Sequence, residues 1–243
     1  MAWSAMFTEY ELQLRERFLA APLTPAPAPW RAVFPSHASL PIGGLLGVGF
    51  APDPRDGHDL LMVVSQGGHG VFDTVTGALL ARDRDPDADI CDPAGPFLTC
   101  PGIGPLTGTH VRIAGLHGGG LHSTTEDGWA VDVVSPDWPH HRVLLSADGG
   151  LCHGPAGGVW WLIHHTTHAP LRTAGFSPTG TTLAVATSTD LTLLTRAPSA
   201  VDDAPIDGGA GARPALGRLP HRSDAECLQI VDVGADILGE QGQ

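Results

Sequence analysis

The chain has 243 residues, 42% of them hydrophobic, and a mean hydropathy of +0.05, enough for one globular domain with a sizeable core. Its net charge of −13 sets 26 acids against 13 bases, and every base is Arg because the sequence contains no lysine. The acidic field repels polyphosphate backbones and anionic surfaces, so nucleic acid and membrane are not expected partners, and the missing Lys excludes P-loop and Schiff-base chemistry.

Gly 32 and Pro 22 favour many short elements joined by tight turns, the composition of an all-β domain. The start, Met1 to Glu11, carries acids and has no basic segment followed by an apolar run, so it does not read as a signal peptide. No stretch approaches the roughly 18 apolar residues of a membrane span. The expectation is a cytoplasmic protein in which Cys91, Cys100, Cys152 and Cys227 remain thiols, with a Cys91–Cys100 bridge as the alternative.

Thr8-Glu-Tyr-Glu11 has the form of a capping box, and behind it Phe7, Tyr10, Leu14 and Phe18 fall at helical spacing. This predicts one helix over residues 7 to 21 with an apolar docking stripe. The following Ala20 to Pro29 alternates Pro with small residues and reads as an extended linker with no core of its own. Residues 1–29 are therefore a helix and linker, and residues 30–243 the main domain.

Four proline tetrads punctuate that domain: Phe50-Ala-Pro52-Asp, Cys91-Asp-Pro93-Ala, Val134-Ser-Pro136-Asp and Phe176-Ser-Pro178-Thr, with prolines 41, 43 and 42 residues apart. Such a period matches one blade of a β-propeller, about 40 to 45 residues. After Pro52 come Leu60 to Val64, Val71 to Asp73 and a turn Asp73-Thr-Val-Thr76-Gly77; after Pro178 come Thr182 to Thr187 and Leu191 to Thr195. Both read as antiparallel meanders. These two stretches, residues 47 to 82 and 174 to 196, resemble the WD40 and related propeller families, with Phe72-Asp73 in place of the Trp-Asp dipeptide. The resemblance implies an all-β single propeller of about five blades, four to six by length, with an N-terminal α-helix. Cys227 to Val233 is the expected last strand, closing the ring beside Trp30 to Phe34.

Three groups could carry chemistry. The Gly-rich stretch from Gly115 to Trp129 holds His117, His122 and Glu126, and Glu126 is the sole glutamate between Glu16 and Glu226. A His/Glu pair on such a loop could act as acid and base, although without a G-x-S-x-G elbow the His117-Gly-Gly-Gly120 run is not a lipase oxyanion loop. The alternative for the same stretch is a hairpin whose glycines supply positive φ. His153, His164, His165 and His168 lack zinc-site spacing, and no metal is expected. Asp83 to Asp89 alternates carboxylates without EF-hand spacing, leaving a solvated acidic loop or irregular Ca²⁺ binding. Trp160-Trp161 places one indole on each face of a strand, and with Trp129 these are the candidate ligand-stacking residues.

No cofactor fingerprint is present. The family resemblance implies a binding platform for a protein or a small molecule. The alternative is a small-molecule enzyme, a lyase, isomerase, cyclase or hydrolase, with Glu126 and His117 or His122 as acid and base.

Overall fold

The computed structural model describes residues 8–34, 39–85 and 98–196. The main body of the chain is residues 1–198, and residues 199–243 form a separate unit outside the described residues, as does the strand expected at Cys227 to Val233.

Helix α1 (Glu9–Ala20) starts where the capping box places it: the Glu11 amide donates to the Thr8 hydroxyl at 3.2 Å, and the Thr8 amide donates to the Glu11 carboxylate at 2.6 Å. It stops at Ala21, whose backbone is extended because Pro22 disfavours the helical conformation before it. Phe18 is buried and Leu14 packs partly, but Tyr10 is 68% exposed, so the stripe that docks is narrower than the sequence period suggests.

Two short strands follow, β1 (Arg31–Ala32) and β2 (Leu40–Pro41). A first meander comprises β3 (Leu45–Pro52), β4 (Asp59–Ser65), β5 (Gly68–Asp73) and β6 (Leu79–Asp83). A hairpin of β7 (Thr99–Pro101) and β8 (His110–Arg112) leads to β9 (Ala114–Gly115). The second meander is β10 (Ala130–Asp137), β11 (His140–Ser146) and β12 (Trp160–His165), and the third is β13 (Leu171–Phe176), β14 (Thr182–Thr187) and β15 (Asp190–Thr195). All ladders within these sheets are antiparallel. The described part is therefore all-β with one N-terminal helix. Against the five blades expected, it contains three meanders and one hairpin.

Strands buried on both faces carry apolar residues without interruption, and their alternation assigns each face. On β4, Leu61 and Val63 face the third meander, where Ala184, Ala186, Leu191 and Leu193 lie; Leu60, Met62 and Val64 face the hairpin and Val111. On β14, Leu183 and Val185 turn the other way, onto Val131, Val143 and Leu145 of the second meander. The outer face of that sheet, with Leu144, Trp160 and Leu162, is covered by Phe18 of α1. The layers thus stack in the order α1, second meander, third meander, first meander, hairpin.

The proline-rich segment is no free linker. Leu23 bridges Leu162 in a parallel register, the Thr24 amide donates to the Leu162 carbonyl at 2.9 Å, and Ala26 and Trp30 enter a core. Beyond it β1 pairs with β15, Arg31 opposite Thr195, so an early strand completes the third meander. Asp73 caps the expected turn, accepting from the amides of Val75 and Thr76 at 2.9 and 2.7 Å, with Gly77 at φ +75°. Cys100 is disulfide-bonded, which departs from the expectation of thiols throughout; Cys152 is a buried thiol. No helix among the described residues is long and apolar enough to cross a membrane.

Candidate functional site

The Gly-rich stretch holds positive-φ glycines, Gly118, Gly119 and Gly128, as the hairpin alternative expects, but it is more than a single hairpin. It runs along the leading strand of each meander in turn. β9 pairs with β3, and the Leu116 amide donates to the Leu46 carbonyl at 2.8 Å. Further on, the Phe176 amide of β13 donates to the His122 carbonyl at 2.7 Å, and the Val131 amide of β10 donates to the Ser123 carbonyl at 2.8 Å. One segment thereby satisfies backbone groups on three strand edges that would otherwise be open.

Two glycines allow close approach, Gly49 to β8 and Gly175 to this segment. A Cβ at Gly49 would lie 2.0 Å from the Arg112 carbonyl oxygen, and one at Gly175 would lie 2.3 Å from the Leu121 Cβ. Each immediately precedes the Phe of a tetrad, so Gly-Phe-x-Pro occurs twice, at 49–52 and 175–178. The glycine admits a neighbour, β8 at Gly49 and the crossing segment at Gly175, and the proline ends β3 and follows the end of β13 by two residues.

Where these pieces meet lies an open cleft of about 460 Å³. Phe50, Pro52 and Pro178 come from the two repeats, Leu121 and His122 from the crossing segment, and His110 and Arg112 from β8. Phe176, fully buried, supports it from below. His110 and Arg112 share a face because they are two residues apart on a strand; Val111 between them is buried. No Asp or Glu among the described residues lines the cleft, and the Arg112 guanidinium has no hydrogen bond or ion pair among them.

Of the residues expected to act, only His122 reaches this cleft. His117, His122 and Glu126 are all exposed, and Glu126 shares neither a hydrogen bond nor a cleft wall with either histidine among the described residues. The carboxylate beside it is the engaged one: Asp127 forms an ion pair with Arg196, 2.7 Å from Nη2 to Oδ1, and that guanidinium holds its carboxyl down to about 2. Arg196 also lies 4.9 Å over the Trp30 ring.

Trp160 is fully buried, its indole nitrogen donating to the Gly154 carbonyl at 3.1 Å. Trp161 and Trp129 are half-buried, 6.1 Å apart, and continue through Trp30 toward Phe176 as a chain of ring contacts. None of the three candidate tryptophans lines the cleft.

The histidine group divides as strand geometry requires. His164 is half-buried, which lowers its basicity, and feels Asp190, whereas His165 sits beside Asp137, Arg142 and His140. His153 and His168 stand apart at the surface; the His153 amide donates to Asp148 at 2.9 Å. Asp53, Asp56 and His58 bring three potential ligand atoms within 4.8 Å of one another. They are already consumed by one another and by Arg55, which lies 2.5 Å from Asp53 and holds that carboxyl down to about 2. Most of the Asp83 to Asp89 run lies outside the described residues; Asp83 itself accepts from the Asp85 amide at 3.0 Å.

Sequence reasoning missed Phe50, His110 and Arg112. The repeated Gly before each Phe and the His-Val-Arg alternation were the signals that could have found them. Comparison of the chain with protein-family models, curated proteins and solved structures finds no match.

Proposed function

We propose that this chain is a propeller-like binding domain whose ligand is a small molecule seated in the cleft between the two Gly-Phe-x-Pro repeats. Three features support the propeller reading and the WD40-like kinship: meanders stacked face to face, the repeated tetrads at the ends of leading strands, and an early strand completing a late sheet. In a propeller the leading strands line the centre of the ring, and the cleft lies at the ends of β3 and β13.

The observation that carries the function is the lining itself. A concave site of about 460 Å³ with apolar walls and a few convergent polar side chains has the size and character of a small-ligand pocket. A folded protein partner would need a far larger contact area than such a cleft provides. The cleft rather than the acid–base alternative carries this reading, because among the described residues Glu126 neither lines the cleft nor hydrogen-bonds to His117 or His122.

Gly120 provides the test. It lines the cleft, a Cβ there meets nothing within 4 Å, and its φ is not in the left-handed region. Gly120→Trp is expected to fill the cleft while leaving the melting temperature unchanged. Ligand-observed NMR with a fragment mixture should detect binders to the wild-type chain that the variant no longer binds. Identical spectra for both proteins would refute the assignment of this cleft.

A further inference from the structure

Resting on that reading of the cleft, we infer that its ligand is an amphipathic oxyanion: a carboxylate or phosphate group on a small aromatic or aliphatic body. The anion sits on Arg112, flanked by His110 and His122, and the body lies against Phe50, Leu121 and the two prolines.

The argument begins with charge. This is an acidic chain, and six of the ten arginines among the described residues are committed: Arg55 to Asp53, Arg142 to Asp137, Arg196 to Asp127, and Arg15, Arg82 and Arg172 to backbone carbonyls. Among the described residues Arg112 is uncommitted and faces a cleft lined by no carboxylate. A guanidinium presents five N–H donors in a planar fork that matches the paired oxygens of a carboxylate or phosphate. His110 on the same strand face and His122 on the crossing segment add donors from two further directions.

The rest of the lining limits what the anion can be attached to. Phe50, Leu121, Pro52 and Pro178 offer no charge and, through their side chains, no hydrogen bond, so they reward an apolar group and penalise a hydrated one. A bare inorganic ion would leave these walls unused. A neutral apolar molecule would leave the guanidinium without a partner. The combination selects a ligand with both parts, and the cleft volume keeps it small.

Isothermal titration of the full chain with benzoate, phenyl phosphate, benzamide and inorganic phosphate separates the contributions. The aryl anions are expected to bind about ten- to a hundredfold more tightly than benzamide, the range of one or two charge-assisted hydrogen bonds. Whichever of benzoate and phenyl phosphate binds more tightly identifies the natural head group. Arg112→Gln should remove that advantage and leave benzamide binding unchanged; Arg112 is exposed and bonds to nothing else among the described residues, so its melting temperature should not move. Benzamide binding as tightly as benzoate, with Arg112→Gln silent, overturns the oxyanion and leaves the cleft standing. Inorganic phosphate binding as tightly as phenyl phosphate overturns the apolar half. Binding that survives Gly120→Trp, or no binding by any of the four, overturns both the inference and the cleft.

Discussion

Replacing Asp132 by Asn should make the protein more stable at neutral pH. Asp132 lies on β10 opposite Leu144, and the turn after β11 closes over it so tightly that a Cβ at Gly150 would lie 3.3 Å from its Oδ2. That oxygen is buried and accepts no hydrogen bond among the described residues. Burial, reinforced by the nearby Asp148 carboxylate, pushes the Asp132 carboxyl up to about 6 from an ordinary 3.8. The folded pKa lies above the unfolded one, so the penalty is absent below about pH 4, grows as pH rises through the folded value, and is complete near pH 7. A gap of about two units at 1.36 kcal/mol each gives ~3 kcal/mol, and partial solvent access screens this to roughly 1–2 kcal/mol. Asn keeps the shape, removes the charge and turns a donor toward Asp148. Calorimetry at pH 7 should show a melting temperature raised by roughly 2–8 °C for a domain of this size. The gain should vanish near pH 4, where the wild-type carboxyl is protonated. A lowered melting temperature at pH 7, or an equal gain at pH 4, would refute the reasoning.

Two further perturbations bear on the crossing segment. Arg196→Ala removes the ion pair to Asp127, a hydrogen bond of 2.9 Å to the Gly180 carbonyl and the contact with Trp30, and in urea unfolding should cost roughly 2–4 kcal/mol, whereas Glu126→Gln next door should stay within about 0.5 kcal/mol. Because Asp127 is held down to about 2, its share of stability is present above pH 4 and lost as pH falls toward 2; equal costs for the two variants would contradict the structure. Gly175→Ala puts a methyl 2.3 Å from Leu121 and 3.0 Å from the His122 carbonyl, so the segment must shift, at a cost of about 1–3 kcal/mol or more and with weakened ligand binding. Gly120→Ala, facing open space, is the control that should change stability little.

Local signals were legible and non-local ones were not. Thr8 and Glu11 reveal the helix start because both partners of a capping box lie within one turn, and Asp73 to Gly77 reveals its turn for the same reason. The meanders were legible from apolar runs. What sequence spacing cannot supply is the route of a connector. Nothing local says that residues 113–125 pair with β3, β13 and β10, so the glycines there invited a functional explanation, whereas Gly115 admits the β3 backbone and Gly118 and Gly119 supply positive φ. The same blindness affected the acids: Glu126 drew interest because it is isolated in the sequence, but Asp127 is the residue Arg196 reaches across 69 positions. Trp160 and Trp161 fall on opposite faces of their strand, Trp160 under α1 and Trp161 beside Trp129 on the side of the third meander, and neither lines the cleft.

The position of the cleft follows from how the edges are satisfied. Each leading strand must either find a partner or leave amides and carbonyls open to other chains. Here one crossing segment serves three of them; Gly175 gives it room beside β13, and Gly49 gives room to β8 beside β3. The strands end just beyond those points, β3 at Pro52 and β13 at Phe176, so the side chains at and just past their ends cannot be covered by the next turn of sheet. A concavity is left whose floor is fixed by buried Phe176 and whose wall carries β8. Since β8 buries Val111, its alternate residues His110 and Arg112 have to face outward, into that concavity. The polar groups of the cleft are thus set by strand pairing and not by loop conformation, which is the arrangement that holds a binding geometry without a ligand to organise it.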